Sequence, residues 1–145
     1  MSYARSIFLT VLLMGTSFGV AAQQNPAVNR FFGFEAVLLP LAIKWQCGGD
    51  RENDLAQLDA MGSAYPEDAE GAGLPVAIEA MQGVSGISEL IERELTPDQT
   101  EILCAGALPL HLDWMTPEIW SADSHLMATE IEQISRSFVE IAGSL

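Results

Sequence analysis

The most regular hydrophobic pattern in the chain lies near its end. Apolar side chains recur there at spacings of four, three, four and three residues: Met127, Ile131, Ile134, Phe138 and Ile141. This spacing places them on one side of an α-helix and predicts an amphipathic helix whose apolar stripe faces a core. Gly143 follows the stripe, where a C-terminal helix cap is expected.

Two further helices are predicted in the first half of the chain. Residues 29–46 are apolar enough for a core helix, which Pro40 is expected to end or kink. The segment is too short, and too interrupted by Glu35, Pro40 and Lys44, to span a membrane. Asp50 is a suitable N-cap for the second helix. The apolar positions of that helix have near-helical spacing: Leu55, Leu58, Met61 and Tyr65.

Prolines and glycines divide the middle of the chain. Residues 65–75 are acidic and contain two prolines and two glycines, so they predict an exposed loop. Residues 74–83 and 85–95 predict two short helices, or one helix weakened by glycines, with Ser85 as a cap.

A strong helix start precedes the second cysteine. Thr96 is a capping residue, Pro97 suits the first helical position, and Gln99 completes a capping box. Thr116 and Pro117 begin another short helix in the same way. No segment alternates cleanly between apolar and polar residues, so no strand is predicted. The expected fold is all-α, a single small bundle-like domain of five or six helices over residues 23–145.

Residues 1–22 have the pattern of a secretory signal peptide. Arg5 precedes an apolar run from Ile7 to Val20, and small residues at the end of the run favour cleavage after Ala22. The alternative is an uncleaved membrane anchor, which needs about 20 predominantly apolar residues, and this run is shorter and diluted by polar residues and glycine. We therefore expect a periplasmic or secreted protein with no stable membrane insertion after cleavage.

Export determines the interpretation of the cysteines. The chain contains two cysteines, Cys47 and Cys104, and oxidising compartments form and keep disulfides. Only one internal pairing is possible. The bond would close a loop of about 58 residues, which the chain-entropy model values at roughly 4 kcal/mol. We therefore predict a structural disulfide that staples the domain.

The composition is strongly acidic. The chain has 20 Asp and Glu against 6 Lys and Arg, for a formal net charge of −14, and every acidic residue follows residue 22. Such a surface repels nucleic acid phosphates and attracts cationic partners. We therefore expect no nucleic acid and, as partner, another exported protein with a basic surface. The alternative is that the acidity serves solubility alone.

Residues suited to catalysis or metal binding are few. The weak metal candidates are His111, Asp113 and His125, but nothing in their spacing makes three or four ligands converge. Residues 50–61 and 68–79 each match part of a calcium-binding EF-hand loop, and each lacks required ligands. The sequence therefore predicts no metal, no cofactor and no enzymatic activity.

These observations favour a non-catalytic partner-binding role, such as an accessory subunit, an inhibitor or an immunity-type protein. The candidate binding residues are Glu67, Asp68 and Glu70 in the predicted acidic loop, and Trp120, which we expect to be the exposed member of the aromatic set. A holdase-like periplasmic stress chaperone is the main alternative. A small metal-binding protein or enzyme is a further one.

Overall fold

The computed structural model describes residues 29–122 and 124–145. These residues form eight helices and no strand. The helices are α1 (Glu35–Gln46), α2 (Arg51–Ala64), α3 (Pro66–Gly71), α4 (Leu74–Gln82), α5 (Ile87–Ile91), α6 (Pro97–Ala107), α7 (Pro117–Ala122) and α8 (Ser124–Gly143). The all-α prediction is confirmed. Three of the eight helices have only five or six residues, and of these α3 lies where a loop was predicted. The predicted signal peptide, residues 1–22, lies outside the described residues.

Helix α1 lies at the centre of the fold. It packs against α4, α5, α6 and α8, and apolar residues cover its whole circumference. Val37, Leu41 and Ile43 are completely buried. A helix that is apolar on all sides must be enclosed by other elements, which explains its position. Pro40 lies inside α1, and the helix continues beyond it to Gln46.

The chain leaves α1 through a tight glycine turn. Gly48 has a φ of +84°, in the left-handed region that favours glycine. Its N–H donates to the carbonyl of Trp45 at 3.2 Å, and the N–H of Gly49 donates to the carbonyl of Lys44 at 2.9 Å. This pair of bonds is a Schellman motif, which satisfies the last carbonyls of the helix. The turn brings Asp50 directly to the start of α2.

The predicted helix caps are present. The carboxylate of Asp50 accepts a hydrogen bond from the N–H of Asn53 at 3.0 Å and begins α2. The hydroxyl of Thr96 accepts from the N–H of Gln99 at 3.2 Å, and the Gln99 side chain accepts from the N–H of Thr96 at 3.0 Å. This capping box begins α6 as predicted.

The disulfide is confirmed. Cys47 at the end of α1 is bonded to Cys104 in α6, with their Cα atoms 5.6 Å apart. A small apolar cluster surrounds the bond. Its buried members are Ile43, Ile87, Leu103 and Ala107. The bond therefore joins the central helix to α6 inside the packed part of the domain.

The C-terminal stripe packs as predicted at four of its five positions. Ile131 and Ile134 contact the main core, and Phe138 and Ile141 contact the cluster around the disulfide. Met127 lies in the stretch 122–127, whose side chains are outside the description. Helix α8 ends at Gly143.

Candidate functional site

The acidic segment is a helix, so the prediction of an exposed loop over residues 65–75 is wrong there. Pro66 occupies the first turn of α3, with Glu67 and Asp68 beside it, and Ala69 is buried with 4 % of its surface exposed. Proline suits a first helical turn, and acidic residues there interact favourably with the helix dipole. One buried alanine holds this short helix against the core and leaves its carboxylates facing outwards.

Asp68 differs from the other two acids because it has a cationic partner. The guanidinium of Arg30 donates to its carboxylate at 2.8 Å. The Asn29 side chain also donates to the Asp68 carbonyl at 2.7 Å. Both partners lie far from Asp68 in sequence. Asp68 therefore fixes the segment before α1 onto α3, and its charge is not free for an external partner.

Trp120 is a core residue, so the expectation that it is exposed is wrong. It retains 7 % of its surface, with its ring centroid 5.0 Å from that of Phe31 and 5.6 Å from that of Tyr65, both edge-on. Arg30 lies over the outer side of this cluster, 4.2 Å from the Tyr65 ring centroid. Edge-to-face packing of aromatic rings stabilises such clusters beyond the area that they bury.

Glu67 and Glu70 keep their charge available. Both are exposed, and within residues 29–122 and 124–145 no basic side chain forms an ion pair with either. Three of the five basic residues of that part of the chain are engaged elsewhere, in pairs with carboxylates: Arg30, Lys44 and Arg136. On α3 the carboxylates of Glu67 and Glu70 are therefore exposed and unpaired, whereas Arg30 balances the charge of Asp68.

A groove of about 890 Å³ opens beside this acidic surface, between α2, α3 and α4. Its apolar lining includes Leu58 and Leu74, which are buried, and Val76, which keeps 72 % of its surface exposed. Asp59 and Glu70 also line it, both exposed, and no Lys or Arg does. The groove thus combines an apolar interior with an acidic rim.

The weak metal candidates do not form a ligand set in the described structure. His111 Nδ1 lies 3.6 Å from Asp113 Oδ2, and both side chains are exposed. Asp113 accepts a hydrogen bond from the Gln57 side chain at 3.0 Å. The His125 side chain lies outside the description. No three His, Cys, Asp or Glu side chains converge among the described residues.

His111 instead lines a second, smaller cavity of about 270 Å³ between α1, α8 and the segment after α6. Pro40, Trp114 and Phe138 form part of its wall, and Glu130 supplies a carboxylate. This cavity holds about a third of the volume of the groove at α2–α4.

A buried polar network joins α1 to α2, and sequence reasoning did not identify it. The Lys44 ammonium contacts both carboxylate oxygens of Asp54, at 3.0 and 2.9 Å, and the Trp45 indole N–H donates to Asp54 at 2.9 Å. Asp54 is completely buried and Lys44 is 7 % exposed. Buried charges occur where they are paired and hydrogen-bonded, as here. Because neither group reaches solvent, the network is structural rather than a binding surface.

Ser85 does not cap α5, which is a correction to the sequence prediction. Gly86 holds the N-cap position, and Ser85 precedes it. The Ser85 hydroxyl donates to the Glu89 carboxylate at 2.6 Å, and its backbone N–H donates to the same oxygen at 2.9 Å. These two hydrogen bonds hold the pKa of Glu89 below its ordinary value, and the bond from the hydroxyl lowers it more than the bond from the backbone N–H.

None of the helices over residues 29–122 and 124–145 combines the length and hydropathy needed to cross a membrane. Comparison of the chain with protein-family models, with curated proteins and with solved structures finds no match. The groove between α2, α3 and α4, with its acidic rim, is therefore identified as the candidate site from its geometry and charge alone.

Proposed function

We propose that this is an exported protein that binds a basic protein partner through the acidic surface of α3, without catalysing a reaction. The observation that carries the proposal is the pair Glu67 and Glu70, which are exposed and form no ion pair with a basic side chain of the described structure. Unpaired surface charge of one sign steers an oppositely charged partner during encounter and raises the association rate.

Export is supported by the structural disulfide between Cys47 and Cys104, because such bonds persist in oxidising compartments. The predicted signal peptide points the same way. The intact mass of protein recovered from the native host tests this part. The mass of a chain that begins at Gln23 and contains one disulfide agrees with export, whereas a chain that retains residues 1–22 and has both cysteines as free thiols contradicts it.

The binding proposal is tested by affinity capture from the native host at low and high salt. The test variant is Glu67→Gln with Glu70→Gln, which removes two charges and leaves the Arg30–Asp68 pair intact. Its matched control is Glu94→Gln with Glu101→Gln, which removes two exposed carboxylates elsewhere. Exposed charges beyond roughly 8 Å are screened at physiological ionic strength. Capture of the partner should therefore weaken at high salt. At low salt it should weaken in the test variant and not in the control variant.

A specific partner that is recovered equally at both salt concentrations and with both variants would contradict the proposal. The acidity would then serve solubility, which is the alternative interpretation of the net charge of −14.

A further inference from the structure

We propose that the α2–α4 groove, defined by the lining residues of α2, α3 and α4, is a docking slot for a short amphipathic helix with basic residues on its polar side. The inference rests on the proposed function and deepens it, because it specifies the part of the partner that is recognised. Apolar side chains of the helix would enter the groove while Lys or Arg side chains meet the acidic rim.

The dimensions of the groove fit such an occupant. Along α2 its lining extends from Leu55 to Ser63. These two residues are eight positions apart, which corresponds to a rise of about 12 Å along the helix, or a little more than two turns. An occupant of that length presents two or three apolar side chains on one side, at i, i+3 or i+4, and i+7.

Val76 is the most exposed large apolar residue of the groove. It lines the groove and keeps 72 % of its surface exposed, while Leu74, two residues earlier, keeps only 3 %. Gly62 lies on the opposite wall, where a Cβ would be in ordinary van der Waals contact with Ala69 and Leu74, at 3.8 and 3.9 Å, so the glycine leaves space for about one methyl group. A side chain that enters between these walls would bury Val76 without displacing the core.

Charge selects the kind of occupant. Asp59 and Glu70 line the groove, and Glu67 lies on the same short helix as Glu70. A second copy of this chain would bring a net charge of −14 against them, so self-association through the groove is disfavoured. A cationic segment gains from the same charges. The described residues offer no strand edge for an extended peptide, so a helix in the groove is the recognition mode that the fold supports.

The probe for the test is a synthetic peptide of about 18 residues made of Leu and Lys, since isolated helices shorter than about 12–15 residues are marginal in water. Its leucines follow helical spacing. A scrambled peptide of the same composition has the same charge and no apolar side. Binding to the purified protein is measured by titration calorimetry, and the contact site by amide chemical shifts.

The decisive variant is Val76→Ser, with Val139→Ser as its matched control. Val139 is an equally apolar residue on α8, 66 % exposed and outside the groove. We expect the amphipathic peptide to bind at least about tenfold more tightly than the scrambled one, with shifts at Gly62 and Val76. Val76→Ser should weaken binding about tenfold, and Val139→Ser should leave it unchanged.

Equal binding of the two peptides, or an unchanged affinity in Val76→Ser, overturns the docking slot. Sedimentation of the protein without peptide is the third measurement. If the wild type dimerises and Val76→Ser does not, the occupant of the groove is a second copy of this chain, which would also overturn the proposal. If Val76→Ser has no effect while Glu67→Gln with Glu70→Gln still releases the native partner, the groove assignment fails and the acidic binding surface stands.

Discussion

Lys44→Met tests whether the buried ion pair between α1 and α2 is a structural requirement. The substitution keeps an unbranched side chain of similar length and removes the ammonium that contacts both oxygens of Asp54. Asp54 is 0 % exposed, so water does not replace the lost partner. The variant therefore leaves a buried carboxylate with one remaining hydrogen bond, from Trp45 at 2.9 Å.

The expected cost follows from this geometry. Removal of one member of a buried ion pair destabilises a protein by about 3–5 kcal/mol. The Trp45 indole continues to donate to the carboxylate, which places the expectation for Lys44→Met near the lower end, at about 3 kcal/mol. That loss is large beside a typical total free energy of unfolding of about 5–15 kcal/mol.

The assay is urea unfolding at pH 7, monitored by circular dichroism, with the disulfide intact in every variant. Glu132→Gln is the matched control, because it breaks the exposed i,i+4 pair with Arg136, whose side chains are 68 % and 66 % exposed. Exposed pairs contribute about 0–1 kcal/mol. The transition midpoint should fall in Lys44→Met and change little in the control, at a similar m-value.

A double-mutant cycle with Asp54→Asn completes the test. Because the two charges stabilise each other, Lys44→Met with Asp54→Asn should cost less than the sum of the single changes. The buried ion pair is not a structural requirement if Lys44→Met costs no more stability than Glu132→Gln, or if the costs of Lys44→Met and Asp54→Asn simply add in the double variant.

Three further predictions concern the turns and the disulfide. Gly49→Ala should lower the free energy of unfolding in urea by about 1–3 kcal/mol, because the added Cβ would lie 2.5 Å from the Cγ of Lys44. Ser85→Ala should raise the pKa of Glu89 towards its ordinary value in an NMR titration. In the wild type, the ionised Glu89 carboxylate stabilises the fold above its unfolded-state pKa, and this stabilisation is lost as the pH falls through the lowered pKa of the folded state. Replacement of Cys47 and Cys104 by Ala should cost roughly 4 kcal/mol in urea unfolding.

Each of these has a contrary outcome. A Gly49→Ala variant as stable as wild type would mean that the lysine side chain yields without cost. An unchanged Glu89 titration in Ser85→Ala would show that the hydroxyl does not lower the pKa. A double cysteine variant within about 1 kcal/mol of wild type would show that the loop between α1 and α6 is already restricted in the unfolded chain.

Local signals in the sequence were sufficient for the helix caps and for the disulfide. Asp50 and the Thr96–Gln99 box act on N–H groups within three residues, so neighbouring residues alone determine them. The disulfide followed from the cysteine count and the predicted compartment. The start of α3 is also a local signal, since Pro66 followed by two acids is typical of a first helical turn, but the two glycines of the segment are equally typical of a loop.

Long-range packing decided what the sequence analysis missed. The burial of Trp120 depends on Phe31, 89 positions earlier in the chain, and no local pattern encodes that contact. The buried Lys44–Asp54 pair was missed because lone charged residues are usually exposed. The one available signal was that Lys44 lies between Ile43 and Trp45 in an otherwise apolar segment.

The candidate site shows the same division. Its acids, Glu67 and Glu70, were identified from the sequence, because charge is a property of single residues. The groove beside them was not, since it exists only where α2, α3 and α4 meet. The Arg30–Asp68 pair, in which one of the three predicted acids has a cationic partner, also required the packed structure.

Site-specific photo-crosslinking in the native host tests whether the groove between α2, α3 and α4 binds a basic partner. A photoreactive amino acid replaces Val76 in the groove or, as the control, Val139 on α8; both positions are largely exposed, so the substitutions do not disturb the core. We expect one dominant adduct from position 76, formed with a basic amphipathic segment of an exported protein. Salt should weaken this adduct, and position 139 should not form it. No adduct at position 76, or the same adducts at both positions, would contradict binding of such a partner in the groove.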